Sequence, residues 1–268
     1  MRPFGRMARL LRLEVGIVSI SVQRELAHRT ELLFQTLMTA AGIAGAVGAL
    51  AVVYAHVEQL AGWRFGEAIV LLGVYQVLSG LLHAFVEPNL AWFAEDKVKG
   101  GHLDDVLLRP VPSIFAVSFG SCRPLALADA LLGAGIVAGG VLALGADVTL
   151  AGALAAGLLV LVGAAVAWAL RLLLACLAFW APSLELSVLY FGVWQLGRYP
   201  VDVYAPWVRA LLTYVVPVAF VSTFPARALT GGAEPTMLLG GLGAAAGSVT
   251  VVCLVWRAGL RRYTSATS

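Results

Sequence analysis

The sequence predicts an all-α polytopic membrane protein with six transmembrane helices. Three observations carry this. The chain of 268 residues is 60 % hydrophobic and 12 % charged, with a mean hydropathy of +0.90, whereas soluble domains sit near about 45–50 % apolar. Its apolar residues gather into charge-poor runs of about 20 residues, the length a helix needs to cross about 30 Å of hydrocarbon. Lysine and arginine fall on alternate sides of these runs: fourteen lie in one set of connecting segments and four in the other. That asymmetry puts both termini in the cytoplasm.

The N-terminal stretch 1–32 alternates apolar steps (Leu10, Leu13, Ile17, Ile20) with Arg2, Arg6, Arg9, Arg12, Arg24 and Arg29. Two readings are open: a cytoplasmic interfacial helix drawn to anionic lipid, or a basic flank that only orients the first span. The arginines also interrupt any early apolar region, so no secretory signal is expected. A six-helix domain then occupies 33–262, with a short tail at 263–268. The first span, near 33–55, carries Gly42, Gly45 and Gly48 at steps of three, a smooth face for close helix packing. The second is near 66–86. The third, near 125–146, contains Gly133, Gly135, Gly139 and Gly140. The fourth starts after Asp147 and runs to about 181 with one charge, Arg171, expected to snorkel to the inner interface. Residues 184–197 are too short to cross as a straight helix. Pro200, Pro206, Pro217 and Pro225 then cut up the apolar chain beyond them. This predicts a short fifth span and a re-entrant or outer-leaflet segment over 198–235, tolerated only where protein covers the backbone; a fifth span over about 201–224 is the alternative. The last span is near 236–256.

Residues 88–112 stand apart. Glu95, Asp96, Lys97, Lys99, Asp104, Asp105 and Arg109 crowd together between two apolar runs, so this stretch lies in water on the cytoplasmic side. Gly100-Gly101 divides it into two amphipathic pieces. In the second, Leu103, Val106 and Leu107 share a helical face, and Arg109 sits where the helix dipole favours a cation. Such a ridge docks on a partner or lies on lipid headgroups; the pattern alone fits both.

Several chemistries are excluded. Neither Lys97 nor Lys99 follows a glycine, so no phosphate-binding loop can be written and the chain does not hydrolyse ATP by that route. Ser79 and His83 share a helix face, but such a pair is ordinarily a packing pair, which weakens the case for an intramembrane enzyme. Gln76, Asp129, Glu185 and Gln195 are the other polar groups near membrane depth; Asp129 could pair loosely with Arg123. His102 to Asp105 lacks converging metal ligands from elsewhere. Cys122, Cys176 and Cys253 have no metal spacing and are expected as free thiols. The small net charge of +3 gives no reason to expect nucleic acid. A stand-alone transporter or channel would want charged pairs at mid-membrane, and few are visible.

The layout resembles the membrane permease subunits of bacterial type-2 ABC exporters. A pattern V-x-x-G-x-L-D-x-x-L-L-R-P is matched by Val98, Gly101, Leu103, Asp104, Leu107, Leu108, Arg109 and Pro110. A pattern Y-P-x-D-x-Y is matched by Tyr199, Pro200, Asp202 and Tyr204, and a later P-x-A-F by Pro217, Ala219 and Phe220. The resemblance implies that Val98, Gly101, Leu103, Asp104, Val106, Leu107, Leu108, Arg109 and Pro110 form a coupling helix seated on a separate ATPase subunit. Tyr199, Pro200, Asp202, Tyr204 and Pro217 would form an outer-side motif. It further implies no cofactor on this chain, with ATP and magnesium on the partner. A second permease, identical or related, would complete a dimer in membrane lipid. Export by alternating access is implied by the same likeness, and the apolar spans suggest a hydrophobic or amphipathic cargo.

Overall fold

The computed structural model describes residues 29–145, 148–184, 187–232 and 234–263. The interfacial helix expected over 1–32 falls, up to residue 28, outside the described residues, as does the tail beyond Tyr263. All regular structure among the described residues is helical. In chain order the helices are α1 (Arg29–Tyr54), α2 (Phe65–Phe85), α3 (Glu87–Leu90), α4 (Leu103–Leu107), α5 (Ser113–Phe119), α6 (Leu127–Leu144), α7 (Leu150–Cys176), α8 (Ser187–Gln195), α9 (Pro206–Ala210), α10 (Thr223–Thr230) and α11 (Pro235–Arg262). Five helical stretches among the described residues are long and apolar enough to cross a membrane: Thr36–Tyr54, Phe65–Phe85, Pro124–Leu144, Leu150–Phe179 and Pro235–Arg262. The remaining described stretch between α7 and α11 is a broken chain, and the sixth span is not among these continuous helices.

Local chemistry sets the ends. Gly145 takes a left-handed conformation (φ 60°) and closes α6. Thr149 caps α7 by accepting from the Gly152 amide at 3.1 Å. Pro206 and Pro235 occupy first-turn positions where a missing amide costs nothing.

Packing is centred on an antiparallel pair, α2 with α6, and a parallel pair, α7 with α11, with α10 wedged between α2 and α7. Glycine makes the first pair possible. A Cβ on Gly73 or Gly133 would meet the facing backbone at 2.7 and 2.5 Å, and one on Gly80 would collide with Ala130. On α1 the expectation fails. Gly42, Gly45 and Gly48 face open space, because within this chain α1 is held mainly near its C-terminal end, where Leu50 packs against Ala68 and Leu72 and Tyr54 donates to the Trp63 carbonyl. Gly135 and Gly139 are likewise open.

Arg171 is a second correction. It does not snorkel: it is 2 % exposed. Its Nε donates to both oxygens of Glu87 at 3.1 and 3.3 Å, and its guanidinium lies 4.9 Å from the Tyr190 ring centroid. A charge with a buried partner 84 residues away has no need to reach the interface.

Candidate functional site

The charged stretch forms one end of the bundle. Phe93–Lys99 is wound as a wide-turned π stretch and Leu103–Leu107 as α4. Gly101 between them has φ 75°, a conformation only glycine adopts cheaply. Charges brace the first piece: Lys99 binds Glu95 at 2.6 Å, and Asp96 accepts from Lys97 at 2.7 Å and pairs with His102 at 2.8 Å. The Lys97 and His102 bonds hold the Asp96 carboxyl below its usual value, although partial burial opposes them. Next to this, Asn89 receives the Ser121 amide and hydroxyl at 2.8 and 2.9 Å and donates to the Ser121 carbonyl at 2.7 Å. The start and finish of the segment are thereby laced together.

The ridge expected on one face of α4 is split. Leu103 and Val106 are buried in the largest core cluster, with Phe93, Phe179 and Trp256. Val98 packs against the same cluster. In a helix of five residues those positions face the bundle because α4 lies flat on its end. What projects is the C-terminal corner: Leu107 (42 % exposed), Leu108 (85 % exposed), Arg109 and Pro110. Asp104 is half-buried beside Tyr263, whose hydroxyl is pushed up first by desolvation and then by the Asp104 charge. The corner therefore rests on a rigid aromatic base. Phe179 makes edge contacts with Phe93, Trp256 and Tyr263 at centroid distances of 5.7, 5.6 and 6.1 Å, and Trp256 donates to Ser113 at 3.2 Å.

At the opposite end, Asp202 is a node. It accepts from Trp63 Nε1 at 3.0 Å, from Arg227 at 2.6 Å and from Arg209 at 3.4 Å. One carboxylate thus joins the α1–α2 loop, α9 and α10. The other motif residues support it: Tyr204 donates to the Leu196 carbonyl at 2.9 Å, and Pro200 is buried. Tyr199 is exposed and Pro217 half-buried before the turn Val218–Phe220. Trp63, Arg227 and Glu87 were not legible as partners; a charge in an apolar run demands one, but nothing in the spacing says which.

Between the ends, a lateral cleft of about 400 Å³ opens between α1, α2, α6 and α8. Met38, Gly42, Ile43, Ala46 and Leu72 make its apolar wall, while Gln76, Ser79, His83, Asp129, Gln195 and Arg198 bring polar groups to it. The Ser79 hydroxyl accepts from Trp194 Nε1 at 3.1 Å, so it is engaged in packing rather than presented as a nucleophile. Glu185 lies outside the described residues. Among the described residues, no three His, Cys, Asp or Glu side chains converge to hold a metal.

A family model described as ABC-2 family transporter protein matches residues 41–267. No curated protein and no solved structure matches the chain.

Proposed function

The chain belongs to the ABC-2 transporter family, and from that premise we propose that it is the membrane half of an ATP-driven exporter whose ATPase is a separate subunit. It is a multi-pass, all-α permease. In the proposed cycle, ATP closes two ATPase subunits, the docked corners move with them, and the bundle alternates between inward- and outward-open states. A second permease would complete the dimer, and α1, with its open glycine face, offers unpartnered surface for it.

One observation carries the reading: Leu107, Leu108, Arg109 and Pro110 project from a helix whose other face is locked into the core. A free-floating loop would absorb motion; a corner with Leu103 and Val106 buried passes it on. The ion pair between Glu87 and Arg171 fastens the root of this segment to α7, and the Tyr190 ring extends the contact to α8, which lines the cleft. Charge gives the orientation. Lys97, Lys99, Arg109, Arg123, Arg257, Arg261 and Arg262 cluster around the corner end, which supports a cytoplasmic placement of that end.

Co-expression with the ATPase gene that this reading expects beside its own tests it. The tagged permease should capture that ATPase. Leu108→Asp should weaken capture roughly 10- to 100-fold, since burying one leucine is worth about 1.5–3 kcal/mol, without changing membrane insertion or melting. Capture that is absent from the start, or unchanged by the substitution, overturns the docking assignment.

A further inference from the structure

Four arginines lie between Leu150 and Glu234, and three are neutralised: Arg171 by Glu87, and Arg209 and Arg227 by Asp202. Arg198 is not. Among the described residues it has no carboxylate within ion-pair distance, its Nε is buried without a hydrogen-bond partner, and its guanidinium lies 5.5 Å from the Tyr75 ring centroid. It also lines the lateral cleft. An unpaired cation at membrane depth is costly, and such residues pair or mark a ligand pathway.

The cleft is polarised along its length. Tyr75, Ser79 and His83 lie on successive turns of α2, about 12 Å from first to last at 1.5 Å per residue. Arg198 stands at the Tyr75 level. Asp129 stands at the other pole, because Gly80 of α2 packs against Ala130 of α6. The α1 wall facing these groups carries the aliphatic side chains of Met38, Ile43 and Ala46. We propose that Arg198 is the anion-binding pole of this cleft, and that the cleft takes an amphipathic anion, a phosphate or carboxylate head on a hydrocarbon body. The head pairs with the guanidinium, two N–H groups to two oxygens. The body lies along α1, and Asp129 repels the head from the opposite pole. A volume of about 400 Å³ suits a ligand of that size. This deepens the permease reading and rests on it.

The test is equilibrium binding of radiolabelled dodecyl phosphate to the full chain in maltoside micelles. Saturable binding is expected, with inorganic phosphate and dodecyltrimethylammonium competing poorly. Arg198→Gln should weaken binding about tenfold or more, Arg198→Lys less, and Arg209→Gln, which sits on Asp202 outside the cleft, not at all. Gly42→Glu has open space for its side chain and sets a carboxylate on the facing wall; it should weaken binding while leaving Arg198 untouched, so a poorly folding Arg198 variant does not end the test. Dodecyl phosphate bound equally by the Gln or Glu variants, or displaced equally by the cationic amphiphile, overturns the proposal. Tight binding of inorganic phosphate alone overturns the hydrocarbon part. Nanodiscs with and without phosphatidylglycerol separate two sources of the same chemistry. Competition there assigns the pole to a bilayer lipid, and its absence assigns it to cargo; both require Arg198. ATPase capture measured on the same preparations keeps the readings apart. Failed capture by the unmodified chain sinks the motor reading, whereas Arg198-independent binding with normal capture sinks only the anion pole.

Discussion

Replacing Arg171 by methionine should destabilise this permease more than almost any other single change. The side chains of Arg171 and Glu87 are 3 % and 12 % exposed, so neither charge has water in reserve. Arg171→Met leaves Glu87 facing an apolar interior without its cation. Removing one member of a buried pair costs about 3–5 kcal/mol. For a chain of this size that is roughly 6–20 °C of melting temperature, at about 2–4 °C per kcal/mol. Glu87→Gln should cost less, because the guanidinium keeps a neutral acceptor and the Tyr190 ring at 4.9 Å. The double change Glu87→Leu with Arg171→Met removes both desolvation penalties and should recover most of the loss. Fluorescence-detected gel filtration after graded heating, in one detergent, reads the parent, Arg171→Met, Glu87→Gln, Glu87→Leu and the double variant. The reasoning is refuted if Arg171→Met melts within about 2 °C of the parent. It is equally refuted if the double variant is as unstable as its two single changes added together.

Leu103→Ala should cost about 2–5 kcal/mol, because its side chain is wholly enclosed, while Leu108→Ala should leave melting unchanged; the same heating assay separates them. Asp202→Ala strips three donors of their acceptor. Two of these are charged, so a loss of about 3 kcal/mol is expected, with a red shift in Trp63 emission. Gly133→Leu should force α2 and α6 apart and abolish a monodisperse peak, whereas Gly135→Leu, which faces open space, should be tolerated. Asp96 is held below 3.8 chiefly by its Lys97 bond. Its contribution is therefore complete above that value and lost as pH falls through its lower folded value. The protection of amides near Gly100, corrected for the intrinsic pH dependence of exchange, should fall on acidification, and Asp96→Asn should remove that fall.

Much of the architecture was legible because it is periodic. Charge-poor runs gave five of the helices to within a few residues, and prolines at 200, 206, 217 and 225 marked the broken stretch where it stands. The division of the charged segment at Gly100-Gly101 also matches, since a left-handed residue is needed there. What failed was the direction in which side chains point. The pattern Leu103, Val106, Leu107 says that three residues share a face, but not whether that face meets a partner or the protein's own core. Burial of the first two and exposure of Leu107 and Leu108 depend on how α4 lies across Phe93 and Trp256, and no local pattern encodes that.

By itself the sequence determined that this chain lives in a membrane as helices and where its apolar runs stop. Those facts come from the transfer of single residues between water and lipid, which needs no knowledge of neighbours. Only the tertiary structure decided which charges are spent on one another. Glu87 and Arg171 are 84 residues apart and Trp63 and Asp202 are 139 apart, and pairing at such separations is fixed by packing. By the same packing Arg198, alone of the four arginines between Leu150 and Glu234, is left with its charge facing a cleft.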